Sequence, residues 1–298
     1  MSPHLRLPRL GRTSSENDDV RAVLAGAASA AAAEVRAAEG VPIASDAAAF
    51  FDVDNTMMMG ASIFHFAKGL AARKFFTSRD LASFAWQQVK FRVAGNESHS
   101  GMAHARETAL AFAAGHRVDK IVGYGEEIYD DAMAERIWAG TLALAQEHLS
   151  AGERVWLVTA TPVELAELLA RRLGLTGALG TVSEIQDGCY TGRLVGDLLH
   201  GPAKAEAVHA LARREGLDLS RCTAYSDSSN DMPMLSLVGT AVAINPDAEL
   251  RRVARERGWA VHDFRTGRKA MKYTLRTALG AGAFSGAVLA ALSRRRRR

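Results

Sequence analysis

The chain has 298 residues, 48% hydrophobic and 23% charged, a length and mixture that fit one large globular domain or a core with an inserted module and exclude a fibrous or low-complexity protein. Two cysteines, Cys189 and Cys222, are too few for a disulfide scaffold and lack metal-ligand spacing, so reduced thiols in a cytoplasmic protein are expected. Residues 265–298 hold ten basic residues and no acids, and subtracting these from the net charge of +4 leaves −6 on residues 1–264, which argues against a nucleic-acid-binding core.

Residues 1–45 run from mixed charge into AGAASAAAAEVRAAEG, which has little bulk to bury and reads as a disordered or loosely helical extension. AAFFDVD (48–54) is an apolar run ending in acids, as in a central strand. From 61 to 150 the pattern turns helical. Ile63, Phe66, Ala67 and Leu70 share one face, two further helices follow, and a longer helix is expected from about 119 to 149, closed by Gly152. This block reads as a helical insertion. RVWLVTA (154–160) is a buried strand. In TPVE, Thr161 reads as N-cap, Pro162 as first helical residue and Glu164 as the far side of a capping box.

Residues 181–196 have hairpin character, with DG and TG as turn signals. PAKAEAVHALARREG (202–216) is helical, CTAYS (222–226) a strand and MPMLSLVG a short helix. Two more strands, TAVAIN (240–245) and WAVHDF (259–264), flank a helix over 247–257. This alternation defines an α/β fold with a parallel sheet and helices on both faces. The division is a core over 46–60 and 151–264, the helical insertion at 61–150, and a basic tail at 265–298.

Three chemistry-bearing groups fall at the C-terminal ends of strands: Asp52 with Asp54, Thr159, and Asp227 with Asp231. The fourth, Lys204, opens a helix. Ligands bind at that edge of an open α/β sheet. Carboxylates that repel each other need a cation, and hard oxygen donors of this kind suit Mg²⁺ with its waters and a phosphate oxygen. A carboxylate beside Mg²⁺ and Lys⁺ stays ionised and can attack phosphorus, while the second acid moves protons. Thr159 and Lys204 would position the phosphoryl oxygens.

The motifs AAFFDVDNT, VWLVT, GPAK and AYSDSSND, in that order, resemble those of the haloacid dehalogenase-like phosphohydrolases, over about residues 48–264. The resemblance implies a Rossmann-like core with a helical C1 cap, as in the phosphoserine-phosphatase-like branch, subfamily IB. It implies Asp52 as nucleophile and Asp54 as general acid/base. The implied Mg²⁺ ligands are Asp52, the Asp54 carbonyl and Asp227, with Asp231 orienting the metal shell or Lys204. Phosphoserine phosphatases usually carry Ser-Gly-Gly after the second strand. Here Thr159-Ala160-Thr161-Pro162 stands there, and proline removes an amide donor.

The expected activity is hydrolysis of a small phosphorylated metabolite. Transfer to an alcohol acceptor is the near alternative, and a membrane-tethered binding protein without turnover the distant one. In the insertion, Arg92, Glu97 and Arg106 are candidate substrate contacts, though a solvated helix face explains each. Met57, Met58 and Met59 read as apolar packing. The segment from Thr277 to Ser293 is uncharged and precedes five arginines. Its alternatives are a weak tail anchor or a surface helix at an anionic membrane, within residues 275–298, and a soluble helix with a basic end. No nucleic-acid partner is expected, and the sequence leaves oligomeric state open.

Overall fold

The computed structural model describes residues 14–35, 45–75 and 114–265. Six parallel strands form one sheet. They are β1 (Ala48–Asp52), β2 (Arg154–Pro162), β3 (Gly177–Thr181), β6 (Thr223–Ser226), β7 (Thr240–Ile244) and β8 (Ala260–His262), ordered β3-β2-β1-β6-β7-β8. A separate antiparallel hairpin joins β4 (Ser183–Gln186) to β5 (Cys189–Leu194). Its turn is Asp187-Gly188, both at positive φ (52° and 76°), a pairing suited to a type I′ hairpin. The TG pair lies inside β5 and forms no turn.

β1 is central, which explains its unbroken apolar run. Period-2 geometry sends Phe50 to one face and Phe51 to the other, and both are fully buried. Phe50 joins Trp156, Val158 and Leu179, and Phe51 stacks on Tyr225 with ring centroids 4.1 Å apart. The helices are α1 (Ser14–Ala32), α2 (Ser62–Ala72), α3 (Val118–Ile128), α4 (Ala139–Ser150), α5 (Val163–Arg172), α6 (Pro202–Glu215), α7 (Met232–Leu235) and α8 (Ala248–Arg257).

Three expectations change. First, α1 is a regular helix docked on α6 and β3, where a disordered or loosely helical extension was expected. Ala25, Ser29, Ala30 and Ala33 are buried there. Lack of bulk is the means of docking: a Cβ on Gly26 would lie 2.5 Å from Glu206 Cβ, so only glycine permits this approach.

Second, the single helix expected over 119–149 is broken. A π-turn at Tyr129–Met133 and a 3₁₀ turn at Ala134–Arg136 separate α3 from α4. The chain is drawn straight there by the segment after β1: Met59 N–H donates to Arg136 C=O (2.8 Å) and Trp138 N–H to Met57 C=O (2.9 Å).

Third, β2 continues to Pro162 and α5 starts at Val163 without a side-chain cap, so Thr161 makes no capping box. α4 lies against β1 and β2. Met57 and Met58 are buried, as packing residues would be. Arg92, Glu97, Arg106 and the tail over 275–298 lie outside the described residues. Among the described residues no helix is long and apolar enough to cross a membrane.

Candidate active site

Asp52 ends β1 at the carboxyl edge of the sheet, nearly enclosed. After Asp54 the chain reverses at Asn55, whose φ of 59° is a left-handed conformation that asparagine tolerates. Met57 and Met58 N–H groups both donate to Val53 C=O at 3.0 Å, closing the turn. It is fixed from outside too: Asn245 Nδ2 donates to Asn55 C=O at 3.0 Å, and Asn55 Oδ1 accepts from Gly60 N–H.

Lys204 arrives on the first turn of α6. Gly201, at φ 52°, lets the chain swing into the helix, and Pro202 starts it. The Lys204 ammonium is buried and donates to Asp52 Oδ1 at 2.5 Å and Asp231 Oδ2 at 2.8 Å. Ser226 Oγ, at the end of β6, donates to the same Asp231 oxygen at 2.7 Å. Behind them, Asp247 accepts from Ser229 N–H at 2.8 Å, and its own N–H donates to Asp227 C=O at 2.8 Å. The strand ends and the helix start thus bring Asp52, Lys204 and Asp231 into direct contact, with Asp227 alongside.

Burial, partly opposed by Lys204 and reinforced by Asp231, Asp54 and Asp227, pushes the Asp52 carboxyl up to about 8. Burial and then Asp231 raise Asp227 to about 6. For Lys204 burial works against the charge, but Asp52 and Asp231 outweigh it and raise its pKa. Three carboxyl groups around one ammonium leave a negative excess that a divalent cation would offset. Among the described residues no three His, Cys, Asp or Glu side chains form a metal-ligating cluster. Asp231 is taken up by Lys204 and Ser226, and Asp54 points to Ser62. The donors that remain, the Asp52 and Asp227 carboxylates and the Asp54 carbonyl, fit Mg²⁺, which takes one or two carboxylates and keeps its waters.

Asp54 is held apart from the lysine cluster. Its Oδ1 accepts from Ser62 N–H at 2.8 Å and from Ser62 Oγ at 2.6 Å. Ser62 Oγ lies 2.7 Å from Thr161 Oγ1, to which Thr159 Oγ1 donates at 3.3 Å. Ser62, Thr161, Ser226, Asn245 and Asp247 were missed in the sequence. Serine, threonine and aspartate at element ends signal caps, and only Asp247 makes one here, accepting from Leu250 N–H.

A family model for haloacid dehalogenase-like hydrolases matches residues 49–236, and with it the chain belongs to that hydrolase family. Among curated proteins it is 60% identical over 257 residues to phosphoserine phosphatase SerB1 of Mycobacterium tuberculosis, covering 86% of this chain and 83% of that one. It is 38% identical over 218 residues to the inhibition of morphological differentiation protein of Streptomyces azureus, covering 73% and 78%. Among solved structures, a protein of unknown function from Bordetella pertussis aligns with a TM-score of 0.64 at 29% identity, over 74% of this chain and 99% of that one.

Proposed function

We propose that the protein is a Mg²⁺-dependent phosphatase that cleaves the phosphate monoester of a small metabolite through an aspartyl-phosphate on Asp52. The observation that carries this is the buried Asp52 carboxylate at the strand end, gripped by Lys204 at 2.5 Å with Asp227 beside it. An Asp52 oxygen forms the new bond to phosphorus as the ester P–O bond breaks. The electron pair stays on the leaving oxygen, which takes a proton from Asp54. Asp54 then accepts a proton from water as the water oxygen attacks phosphorus, releasing phosphate and restoring Asp52.

Lys204 neutralises charge on Asp52 and on the phosphoryl oxygens, and Asp231 with Ser226 keeps its ammonium in place. Thr159 is buried; its hydroxyl accepts from Thr161 N–H at 3.2 Å and donates to Thr161 Oγ1 only over a long 3.3 Å, so its hydrogen can turn to a phosphoryl oxygen. Mg²⁺, when bound through Asp52, Asp227 and the Asp54 carbonyl, would supply further neutralisation of the phosphoryl group. The helical block around α2 and α3 serves as the cap, excluding water during the reaction.

Phosphoserine is the first substrate to test, on the similarity to phosphoserine phosphatase SerB1. Against it stands Pro162, which offers no amide, and Thr161 N–H is turned to Thr159 Oγ1 at 3.2 Å. A panel of phosphoserine and other small phosphate esters with Mg²⁺ ranks the candidates. Rapid quench and mass spectrometry should find the phosphoryl adduct on the peptide containing Asp52. Asp52→Asn should abolish adduct and turnover, by at least about 10³-fold in kcat. Turnover that survives this change refutes the proposal.

The arginines of the tail support contact with an anionic surface as a separate reading. Co-sedimentation of the full chain and of residues 1–272 with phosphatidylserine vesicles tests it. Equal recovery of the two refutes it.

A further inference from the structure

Ser62 spends both of its donors on one atom. Its N–H and its hydroxyl each point at Asp54 Oδ1, at 2.8 and 2.6 Å. Among the described residues nothing donates to Oδ2. The hydroxyl has little else to do, because Ser62 is buried and one side of it opens on an apolar cavity lined by Phe66, Met133, Leu165 and Leu168. Since Ser62 Oγ gives its hydrogen to Asp54, the 2.7 Å contact with Thr161 must have Thr161 as donor. Thr159 donates to Thr161 in turn. The hydroxyls therefore run one way, from Thr159 through Thr161 and Ser62, and end on Asp54.

We infer that Ser62 is the positioning residue for Asp54, fixing Oδ1 so that Oδ2 faces the leaving oxygen of the substrate. This rests on the reading of Asp54 as the proton donor given above. Ser62 is also the first residue of α2. The helix that begins the inserted block therefore sets the direction of the acid, and the second-motif strand supports it through Thr161. A bond from a hydroxyl to a carboxylate is among the stronger ones, and here Ser62 is buried and Asp54 half-buried.

The test uses aryl phosphates graded from p-nitrophenyl to unsubstituted phenyl, with kcat/KM as readout, because that ratio reports the step in which the leaving group departs. A good leaving group needs little protonation, and a poor one depends on it. Asp54→Asn, the reference, should steepen the dependence of kcat/KM on leaving-group acidity. Ser62→Ala should steepen it in the same sense, costing phenyl phosphate about 10- to 100-fold and p-nitrophenyl phosphate no more than about 3-fold. Ser62→Thr, which keeps the hydroxyl and places its methyl towards the cavity, should restore the slope. Thr161→Val removes the donor behind Ser62 without touching it, and should steepen the slope less. It also stands in if Ser62→Ala does not fold.

An equal loss on every substrate in Ser62→Ala, or in Thr161→Val standing in, means a merely structural role and overturns the inference, while the Asp54 reading survives if Asp54→Asn steepens. An unchanged slope in Asp54→Asn refutes that reading, and the inference with it.

Discussion

Two clusters of acid–base pairs in this molecule use the same chemistry in opposite settings. In the site, the side chains of Lys204, Asp52 and Asp231 are 5, 6 and 2% exposed. Around α3, Arg73, just past α2, pairs with Glu127 and Asp131, and Arg171 and Arg172 of α5 pair with Glu126, while Arg172 also reaches Asp130. There the acids lie largely in water, with Glu127 and Asp131 63 and 66% exposed. The difference teaches what burial does to a charge. In the first cluster burial opposes the charges on Asp52 and Lys204, and Lys204 keeps its own through Asp52 and Asp231. In the second, water already solvates Glu127, Asp130 and Asp131, and pairing adds little beyond it.

The largest break in this comparison should come from Lys204→Met. It leaves two buried carboxyl groups without their cation and should cost about 3–5 kcal/mol of stability, read by urea denaturation, along with most of the turnover. A loss no greater than that of a surface variant would mean the lysine is not the electrostatic keystone.

Next comes the pH response of the metal-free protein. Burial raises Asp227 to about 6 and Asp52 to about 8, so the folded state binds their protons more tightly than the unfolded state. Their stabilising contribution is complete below about pH 4, the unfolded carboxylate range, and is lost as pH rises through the folded values. Melting temperature in a chelator should therefore fall by a few degrees between pH 5 and 8. Mg²⁺ added at pH 8 should recover it. A flat profile would contradict the assigned burial of these acids.

Arg73→Ala should have the smallest effect. Its melting temperature should barely differ from that of the parent chain, and the difference should shrink further as salt is raised, because the acids that Arg73 pairs with are exposed and screened. A loss comparable to that of Lys204→Met would erase the contrast.

Much of the site was legible because its residues sit at fixed places in a strand–helix alternation. Asp52, Thr159 and Asp227 are read from apolar runs that end in polar residues, and Lys204 from a helix start. The parallel sheet follows from the same runs, and the order of its strands does not. What escaped did so for physical reasons. Alanines and Gly26 in α1 give no amphipathic signal, since they pack by closeness and not by size. The break between α3 and α4 has no proline to announce it, and its end is fixed by pairing of Arg136 and Trp138 with Met59 and Met57 far back in the chain. Asn245 sits 190 positions from the turn that it steadies, a distance that no local pattern reveals. Ser62 and Thr161 look like helix-start residues, whereas one serves Asp54 and the other serves its neighbour.

The docking of α1 has a practical side. The span matched by the family model begins at residue 49, after α1 has ended. A chain cut back to that span would uncover α6 at Glu206 and Ala207, on the helix that delivers Lys204. Trimming the N-terminus for convenience would thus expose the back of the helix whose first turn grips the nucleophile, and weak turnover in such a fragment would say more about the trimming than about the enzyme.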